Sequence, residues 1–493
     1  MRYINLVSLL LFTVIGFSQN LYDAINYSFE EEIGNARFLS MGNSFGALGG
    51  NLSAINKNPA AGSVFELSRS GGSIIIDNNK IKSDFKGSEN SVNKTNAYWQ
   101  AGIIYVFKNY GQGKINKFSF GINAQSYNTY NQDFLVEGRN NNSIDSFFLN
   151  NSAGINVNDV SVNNNETIQS VYRWLGNNYG YSAQQTFLAY QAYLLNYDED
   201  KKQFYSLAKF NDGLSQRNEI SSIGTNNKIT LNFSSLYNNK LHFGMNLNIH
   251  EITIESRNNF FENNYDTDSL VNYIDFNNDL FIKGGGFSVQ LGLIYLINKF
   301  RFGLSYNSPT WYSFDDELYQ KLEVQSEDYS PDIIDPNIIN YYEYNFRSPS
   351  KTTISLATVV KNMLAVNLDI TSKKYSNGKF SSNSNGAYES VNNNLNRSLS
   401  DVIDYNIGTE LKLGVLSLRG GIIRKNNPLE SEISQIESTT FGFGLEFDNS
   451  TLDFGFSESN IQKNYQLFDT GLTDSAALNN KRFRSVITYN LIF

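Results

Sequence analysis

The 493-residue chain has no cysteine, and only two histidines and six prolines. Without thiols there are no disulfides, no thiolate chemistry and no lipid attachment at cysteine, which suits a product that crosses an oxidising compartment unfolded. No Gly-x-Ser-x-Gly elbow, phosphate loop or His-Glu-x-x-His helix occurs, so the chain is not expected to be an enzyme or to carry a cofactor. His242 and His250 lie on the polar side of one alternating segment, about 26 Å apart at ~3.3 Å per residue, too far to share a metal. No acidic segment has the spaced ligand series that calcium requires. With a formal charge of −9 and no basic run, no nucleic-acid partner is expected. Beyond the N-terminus there is no run of about 18 apolar residues, so helical membrane spans are excluded.

What is abundant is a strand-and-turn vocabulary: 31 Tyr, 36 Phe and 36 Gly, with much Asn and Ser. The mean hydropathy of −0.37 looks soluble. A membrane barrel, however, hides its apolar face in alternate residues, which a bulk average misses. Residues 1–18 form a secretory signal, with Arg2, an apolar stretch from Ile4 to Phe17, and Gly16 and Ser18 placed for cleavage before Gln19.

From about Arg69 the chain alternates apolar and polar residues. Phe483, Ser485, Ile487, Tyr489, Leu491 and Phe493 share one face at the C-terminus, and Phe287, Val289, Leu291, Leu293 and Tyr295 repeat the pattern. Strands are expected at 70–81, 96–108, 115–134, 228–236, 241–256, 285–297, 300–312, 341–361, 363–375, 402–413, 416–425, 438–448, 451–459 and 482–493. The connections then alternate strictly between short and long, as in outer-membrane barrels, whose tight turns are periplasmic. The fold expected is all-β: a transmembrane antiparallel barrel of about 14 strands over 69–493, with an N-terminal hatch over 19–68. Pro349 implies a bulge or a poorly paired position in the eighth strand, because proline cannot donate to the ladder. His242 and His250 become ordinary lumen or rim residues, and the acidic runs Glu30-Glu31-Glu32 and Asp315-Asp316 are expected as solvated charge.

The hatch centres on Gly34 to Phe65, where Gly42, Gly46, Gly49 and Gly50 precede Asn58-Pro59-Ala60. Glycine at this density permits tight turns and close backbone approach. The segment is expected to start on the periplasmic side and fold back into the lumen. In the long loop 135–227, Ile168, Val171, Tyr172 and Leu175, then Phe187, Tyr190 and Leu194, recur at helical spacing, with Trp174 among them. Two short extracellular helices result. Their apolar faces either pack on each other and the rim or form a groove for ligand.

On Ala36-Arg37-Phe38-Leu39-Ser40-Met41-Gly42, Gly46-Ala47-Leu48-Gly49-Gly50 and Asn58-Pro59-Ala60, the chain resembles the FadL/TodX family of outer-membrane transporters for hydrophobic compounds, in a form typical of Bacteroidetes. The resemblance implies a monomer in the outer membrane of a Gram-negative cell, assembled through its C-terminal Phe493. It also implies passive uptake of long-chain fatty acids or aromatic hydrocarbons and their release into outer-membrane lipid. Capture would fall to Ile168, Tyr172, Trp174, Phe187, Tyr190 and Leu194, and lateral release to a break in the third strand near Asn123, Gln125 and Ser126. The competing reading is a FadL-like barrel that binds surface or secreted proteins, like the shuttle barrel of type IX secretion. Replacing Pro59 or bulking up Gly49 is expected to slow uptake of labelled oleate while heat-modifiable barrel migration on gels stays normal; unchanged uptake in both variants would reduce the hatch to filler.

Overall fold

The computed structural model describes residues 21–111, 113–325, 332–382, 388–429 and 435–493; the signal expected at 1–18 lies outside them. One closed antiparallel barrel of 14 strands accounts for most of the chain. The strands are β1 (Arg69–Phe85), β2 (Ser88–Lys108), β3 (Ile115–Thr129 and Gln132–Asn140), β4 (Leu214–Tyr237), β5 (Leu241–Asn263), β6 (Tyr273–Ile297) and β7 (Phe300–Asn307 and Trp311–Gln325). They continue as β8 (Ile339–Arg347 and Lys351–Val360), β9 (Leu364–Lys374 and Lys379–Ser381), β10 (Asp401–Leu413), β11 (Leu416–Asn426), β12 (Gln435–Glu446), β13 (Ser450–Gln466) and β14 (Ser475–Ile492). Closure is by β1 against β14, in register from Arg69↔Ile492 to Asp84↔Ala477.

Burial is inverted relative to a soluble sandwich. Asn232, Asn246, Gln290, Asn367 and Asp369 face inward and are fully buried, while Leu291, Leu304, Ile354, Phe441 and Ile487 face outward and are exposed. An apolar exterior around a polar lumen is the pattern of a multi-pass outer-membrane barrel. No described helix is long and apolar enough to span. At the periplasmic rim the tight turns use residues that tolerate the left-handed region: Asn238 and Asn239 (φ 47° and 53°), Lys361 and Asn362 (50° and 54°), and Gly414 (62°).

The expected spans hold in the membrane and fall short above it. β4 begins at Leu214 rather than 228, and much of the expected loop 313–340 is strand belonging to β7 and β8. Past the apolar band the outward face meets water, so Arg217 and Glu219 alternate with inward Gln216 and Asn218, and the hydrophobic period vanishes while the pairing persists. Asp315 and Asp316 are therefore strand residues, and Asp316 is buried, accepting from the Tyr344 hydroxyl at 3.1 Å. Strict alternation of connections also fails once. β1 and β2 form one long hairpin closed by Lys86-Gly87 (φ 53° and 88°), a two-residue turn at the extracellular end.

β8 breaks around Pro349 as expected, and β7 breaks beside it around Pro309. The breaks support each other: Ser348 N–H donates to the Thr310 carbonyl at 3.0 Å, and Thr310 N–H donates to Ser348 Oγ at 2.9 Å. The loop between β3 and β4 carries three helices, Asp145–Asn151, Ile168–Asn178 and Tyr181–Gln191, followed by a hairpin of Leu195–Asp198 with Gln203–Ser206. A further helix, Glu389–Ser398, lies in the loop between β9 and β10.

Candidate functional site

The hatch fills the lumen from above downward. Its first helix, Leu21–Ser28, sits in the extracellular half rather than starting at the periplasmic side as expected. There Tyr27 stacks on Phe314 at 4.4 Å and shares a 2.8 Å hydrogen bond with the Tyr344 hydroxyl. Gly34 to Phe65 then occupies the periplasmic half as a short helix (Ala36–Ser40), two 3₁₀ turns (Ser53–Asn56 and Pro59–Val64) and irregular chain.

Irregular backbone at membrane depth needs hydrogen-bond partners, and the lumen wall supplies them. Gln125 donates to the Ile33 carbonyl (2.6 Å), Asn246 to Ile55 (2.9 Å), Asn232 to Pro59 (2.9 Å), Asn406 to Gly42 (2.8 Å) and Arg301 to Leu48 (2.6 Å). Gln290 reaches the carbonyls of both Asn56 and Lys57, and Asp369 accepts from the N–H groups of Phe45 and Gly46. Asn58 is extended (φ −146°, ψ 117°), as the following proline requires. Its side chain accepts from Ala60 N–H at 3.0 Å and donates to the Gly46 carbonyl at 2.7 Å and the Leu293 carbonyl at 3.0 Å, tying hatch to hatch and hatch to wall. His242 joins through Ser63 at 2.8 Å.

Contact this close also needs wall positions without a Cβ. A Cβ built on Gly244 or Gly292 would collide with Pro59, one on Gly303 with Gly46, one on Gly408 or Gly421 with Met41, one on Gly442 with Ser40, and one on Gly455 with Ala36. Seven glycines on seven strands thus seat the hatch. Alternation in the sequence made those in β12 and β13 visible, but nothing local showed what they face. Within the hatch, Gly42, Gly49 and Gly50 adopt positive φ (60°, 64° and 66°), which accounts for glycine there.

The Glu30-Glu31-Glu32 run is not solvated charge. Glu31 is buried between Arg482 (2.5 Å) and Arg484 (2.7 Å), Glu30 pairs with Lys351 and Lys373, and Glu32 pairs with Lys57 (3.2 Å) and Lys351 (3.4 Å). A like-charge run in sequence becomes a fan of ion pairs to β8, β9 and β14. Burial alone would raise the Glu31 carboxyl, but Arg482 and Arg484 outweigh it and hold the group down at about 2. A depressed carboxylate contributes stability that is present above the unfolded value of ~4.3 and lost as pH falls toward 2, so this latch does not titrate near neutrality. Beside Glu30, Lys351, Lys373 and Lys425 a cavity of about 30 Å³ remains, room for a water molecule.

Above the hatch, the long loop closes over the barrel mouth. Tyr172, Phe187 and Leu194 are fully buried in a cluster with Phe147, Phe148, Phe260, Phe276 and Leu478, and Ile168 and Tyr190 pack at its margin. These five residues come together. Trp174 does not; it is exposed on the outer face of its helix, edge-on to Tyr179 at 5.3 Å.

Of the β3 residues singled out, Asn123 and Gln125 are in the ladder, buried and linked through Gln100 and Asn56 to wall and hatch. The ladder from β2 to β3 stops at Gln100↔Gln125, although β2 runs on to Ser88. Ser126 begins a register shift against β4, and the strand is interrupted at Tyr130-Asn131 before resuming at Gln132. Beyond Gln125, side chains bridge the seam: Lys94 to Asp133 at 2.7 Å and Asn131 to the Tyr98 hydroxyl at 2.9 Å. Gly138 lies over Phe85, so the resumed strand crosses the inner side of the β1–β2 hairpin.

The fold is that of a hatch-plugged outer-membrane β-barrel. No protein-family model matches the chain, and no curated protein matches it in sequence. Among solved structures, it is similar to the toluene transporter TodX of Pseudomonas putida (14% identity, TM-score 0.53, covering 94% of this chain and 100% of that one) and to a FadL homologue of Pseudomonas aeruginosa (10% identity, TM-score 0.53, covering 93% and 98%). At these identities the likeness establishes the fold.

Two variants test how the hatch is held. Gly408→Val puts side-chain bulk into the Met41 backbone and is expected to expel the hatch from an assembled barrel, raising single-channel conductance and exposing Gly34 to Phe65 to protease. Glu31→Gln strands Arg482 and Arg484 beside Asp77 alone and is expected to weaken hatch docking by about 3 kcal/mol, measured as lower urea resistance of hatch protection.

Proposed function

We propose that the barrel is a passive channel for hydrophobic small molecules, fatty acids or aromatic hydrocarbons, which enter at the apolar cap and leave sideways into the membrane. The observation that carries this reading is the seam between β2 and β3. Along β2 from Ser88 to Trp99 the edge facing β3 has no ladder partner among the described residues, while the same residues pair fully with β1. Behind the seam lie Ile81, Phe85, Phe134 and Val136, members of the same apolar cluster as the cap residues Tyr172 and Phe187. Packed apolar side chains thus run without interruption from the extracellular loop to a stretch of wall held by side chains.

Energetics favour this direction. Parting the seam breaks a partly exposed ion pair, worth about 0–1 kcal/mol, and two hydrogen bonds, Asn131 to the Tyr98 hydroxyl and Ser83 to the Leu135 carbonyl, worth about 1 kcal/mol each. Displacing the hatch would break its many buried contacts at once. An apolar solute released sideways also never exposes its chain to water, which would cost about 0.8 kcal/mol per methylene. At its lower end the outer face beside the seam carries exposed Ile74, Ile76 and Trp99, compatible with lipid at the exit, while above them the outward residues Glu89, Ser91, Asn93 and Thr95 are polar.

The cysteine-free chain offers a clean test. In a Lys94→Cys/Asp133→Cys variant, closing the seam with a cleavable bis-thiol cross-linker is expected to lower uptake of labelled oleate and toluene at least tenfold, and cleaving the linker to restore it. Cross-linked barrels that transport at the uncross-linked rate would refute lateral release through this seam.

A further inference from the structure

A second feature of the wall faces lipid on the far side of the barrel from the seam. Cross-strand register places Phe287, Trp311, Arg347 and Lys379 on one rung across β6, β7, β8 and β9: Trp311 stands opposite Phe287 and Arg347, and Arg347 opposite Lys379. All four side chains point outward and are exposed. The next rung toward the extracellular side is Gly285, Ser313, Asn345 and Ser381, also outward. A rung of small residues above a rung of large ones leaves a groove of about 650 Å³, at whose base lie Tyr312 and Phe346. A Cβ on Gly285 would meet nothing closer than the His250 carbonyl at 4.0 Å, so this glycine keeps the groove open rather than relieving a clash.

The level of the groove is that of the outer membrane-water boundary. Toward the bilayer centre the outward residues are Leu291, Leu304, Tyr306 and Ile354, all exposed and mostly aliphatic. On the extracellular side the following rung is Lys283, Asp315 and Glu343, which belongs to solvent. Trp311 therefore sits where aromatic girdles sit. Beside it are two cations that form no ion pair among the described residues. Among the described residues, the Arg347 guanidinium donates to the Asn377 carbonyl at 3.5 Å. Asp315 and Glu343 are two rungs from Arg347, about 13 Å at ~3.3 Å per residue, and Asp315 faces Lys283 across the ladder.

We infer that this groove binds the head of a phosphate-bearing membrane lipid with a hydroxylated headgroup. Arg347 and Lys379 hold the phosphate, Ser313, Asn345 and Ser381 offer hydrogen bonds to the hydroxyl groups, and the acyl chains run down over Phe287 and Trp311 onto the apolar belt. Adjacent cations at headgroup depth match such a lipid in charge, and a guanidinium matches phosphate in geometry. The cations, without an ion pair among the described residues, the hydroxyl and amide lining and the glycine floor all favour this occupant over a purely apolar one.

The test uses Trp311 as reporter, in a Trp99→Phe/Trp174→Phe background that leaves it the only tryptophan, with heat-modifiable gel migration certifying each barrel. Phosphatidylglycerol with brominated chains, added to the barrel in dodecyl maltoside, is expected to quench Trp311 saturably. The apparent affinity is expected to fall at least tenfold in Arg347→Gln/Lys379→Gln and to be lost in Gly285→Leu, whose side chain fills the groove. Brominated diacylglycerol is expected to bind at least tenfold more weakly, and inorganic phosphate not to displace the lipid. The inference is overturned if the double glutamine variant is quenched at the same lipid concentration, if diacylglycerol binds as well as phosphatidylglycerol, or if inorganic phosphate competes at equal concentration. The two glutamine substitutions lie on the outer surface, so they test the site even if Gly285→Leu does not assemble.

Discussion

Everything in the lumen follows from one requirement: a stretch of irregular backbone placed inside a membrane barrel must have its N–H and C=O groups satisfied there. Strands satisfy their own groups through the ladder, and Gly34 to Phe65 has no ladder. The wall answers with amides. Asn232, Asn246, Gln290 and Asn406 donate to hatch carbonyls, and the Asp369 carboxylate accepts from consecutive hatch N–H groups. This explains why the inward positions of β4, β5, β6, β9 and β10 are so rich in Asn and Gln, and hence the chain's low hydropathy. A fully buried amide without its hatch partner would cost about 1–3 kcal/mol, so wall and plug are mutually dependent.

That dependence sets the packing. Hydrogen bonds from wall side chains to hatch backbone require the two to approach within one side-chain length, and elsewhere the backbones meet directly. Glycines in the wall permit this at Pro59, Gly46, Met41, Ser40 and Ala36, and Asn58 fastens the turn above them. The ion-pair fan from Glu30 to Glu32 then anchors the upper end of the plug to β8, β9 and β14, where Arg482 and Arg484 would otherwise share the single carboxylate of Asp77 in the lumen. For the proposed channel, a plug fixed at both ends by buried polar contacts favours a side exit over an axial one.

How much of this was legible in the sequence depended on whether the signal was local. The strands within the apolar band, their number and the Asn-rich periplasmic turns were legible because alternation and turn chemistry are nearest-neighbour properties. The upper strands were not, because an outward face in water alternates polar with polar, as Arg217, Glu219 and their inward neighbours show. The hatch was visible as a glycine cluster, but its shape was not, since its partners lie hundreds of residues away. The acidic run misled for the same reason: three adjacent glutamates look solvated until Lys351 and Arg482 are brought against them. In the loop, helical spacing picked out Tyr172, Phe187 and Leu194, which come together in one buried cluster. It took in Trp174 because sequence proximity does not separate one face of a short helix from the other.

Two interruptions of the wall look alike in sequence and differ physically. At Pro309 and Pro349, β7 spends four residues from Asn307 to Trp311 where β6 spends three, from Gln290 to Phe287. This is a one-residue bulge after which pairing resumes on both sides. Such a bulge reshapes a surface while keeping the wall closed, which suits a groove facing lipid. At Tyr130-Asn131 β3 keeps its pairing with β4 but not with β2, so the interruption is one-sided and the sheet is divided. Proline marks the harmless break because a missing donor can be accommodated by a neighbouring strand with the same defect. The consequential break carries no proline; it comes from the second half of β3 crossing inside the β1–β2 hairpin, where Gly138 makes room over Phe85. Under the proposed lateral release, the wall has to lose its ladder on one side only, since losing both would free the strand and losing neither would leave no seam.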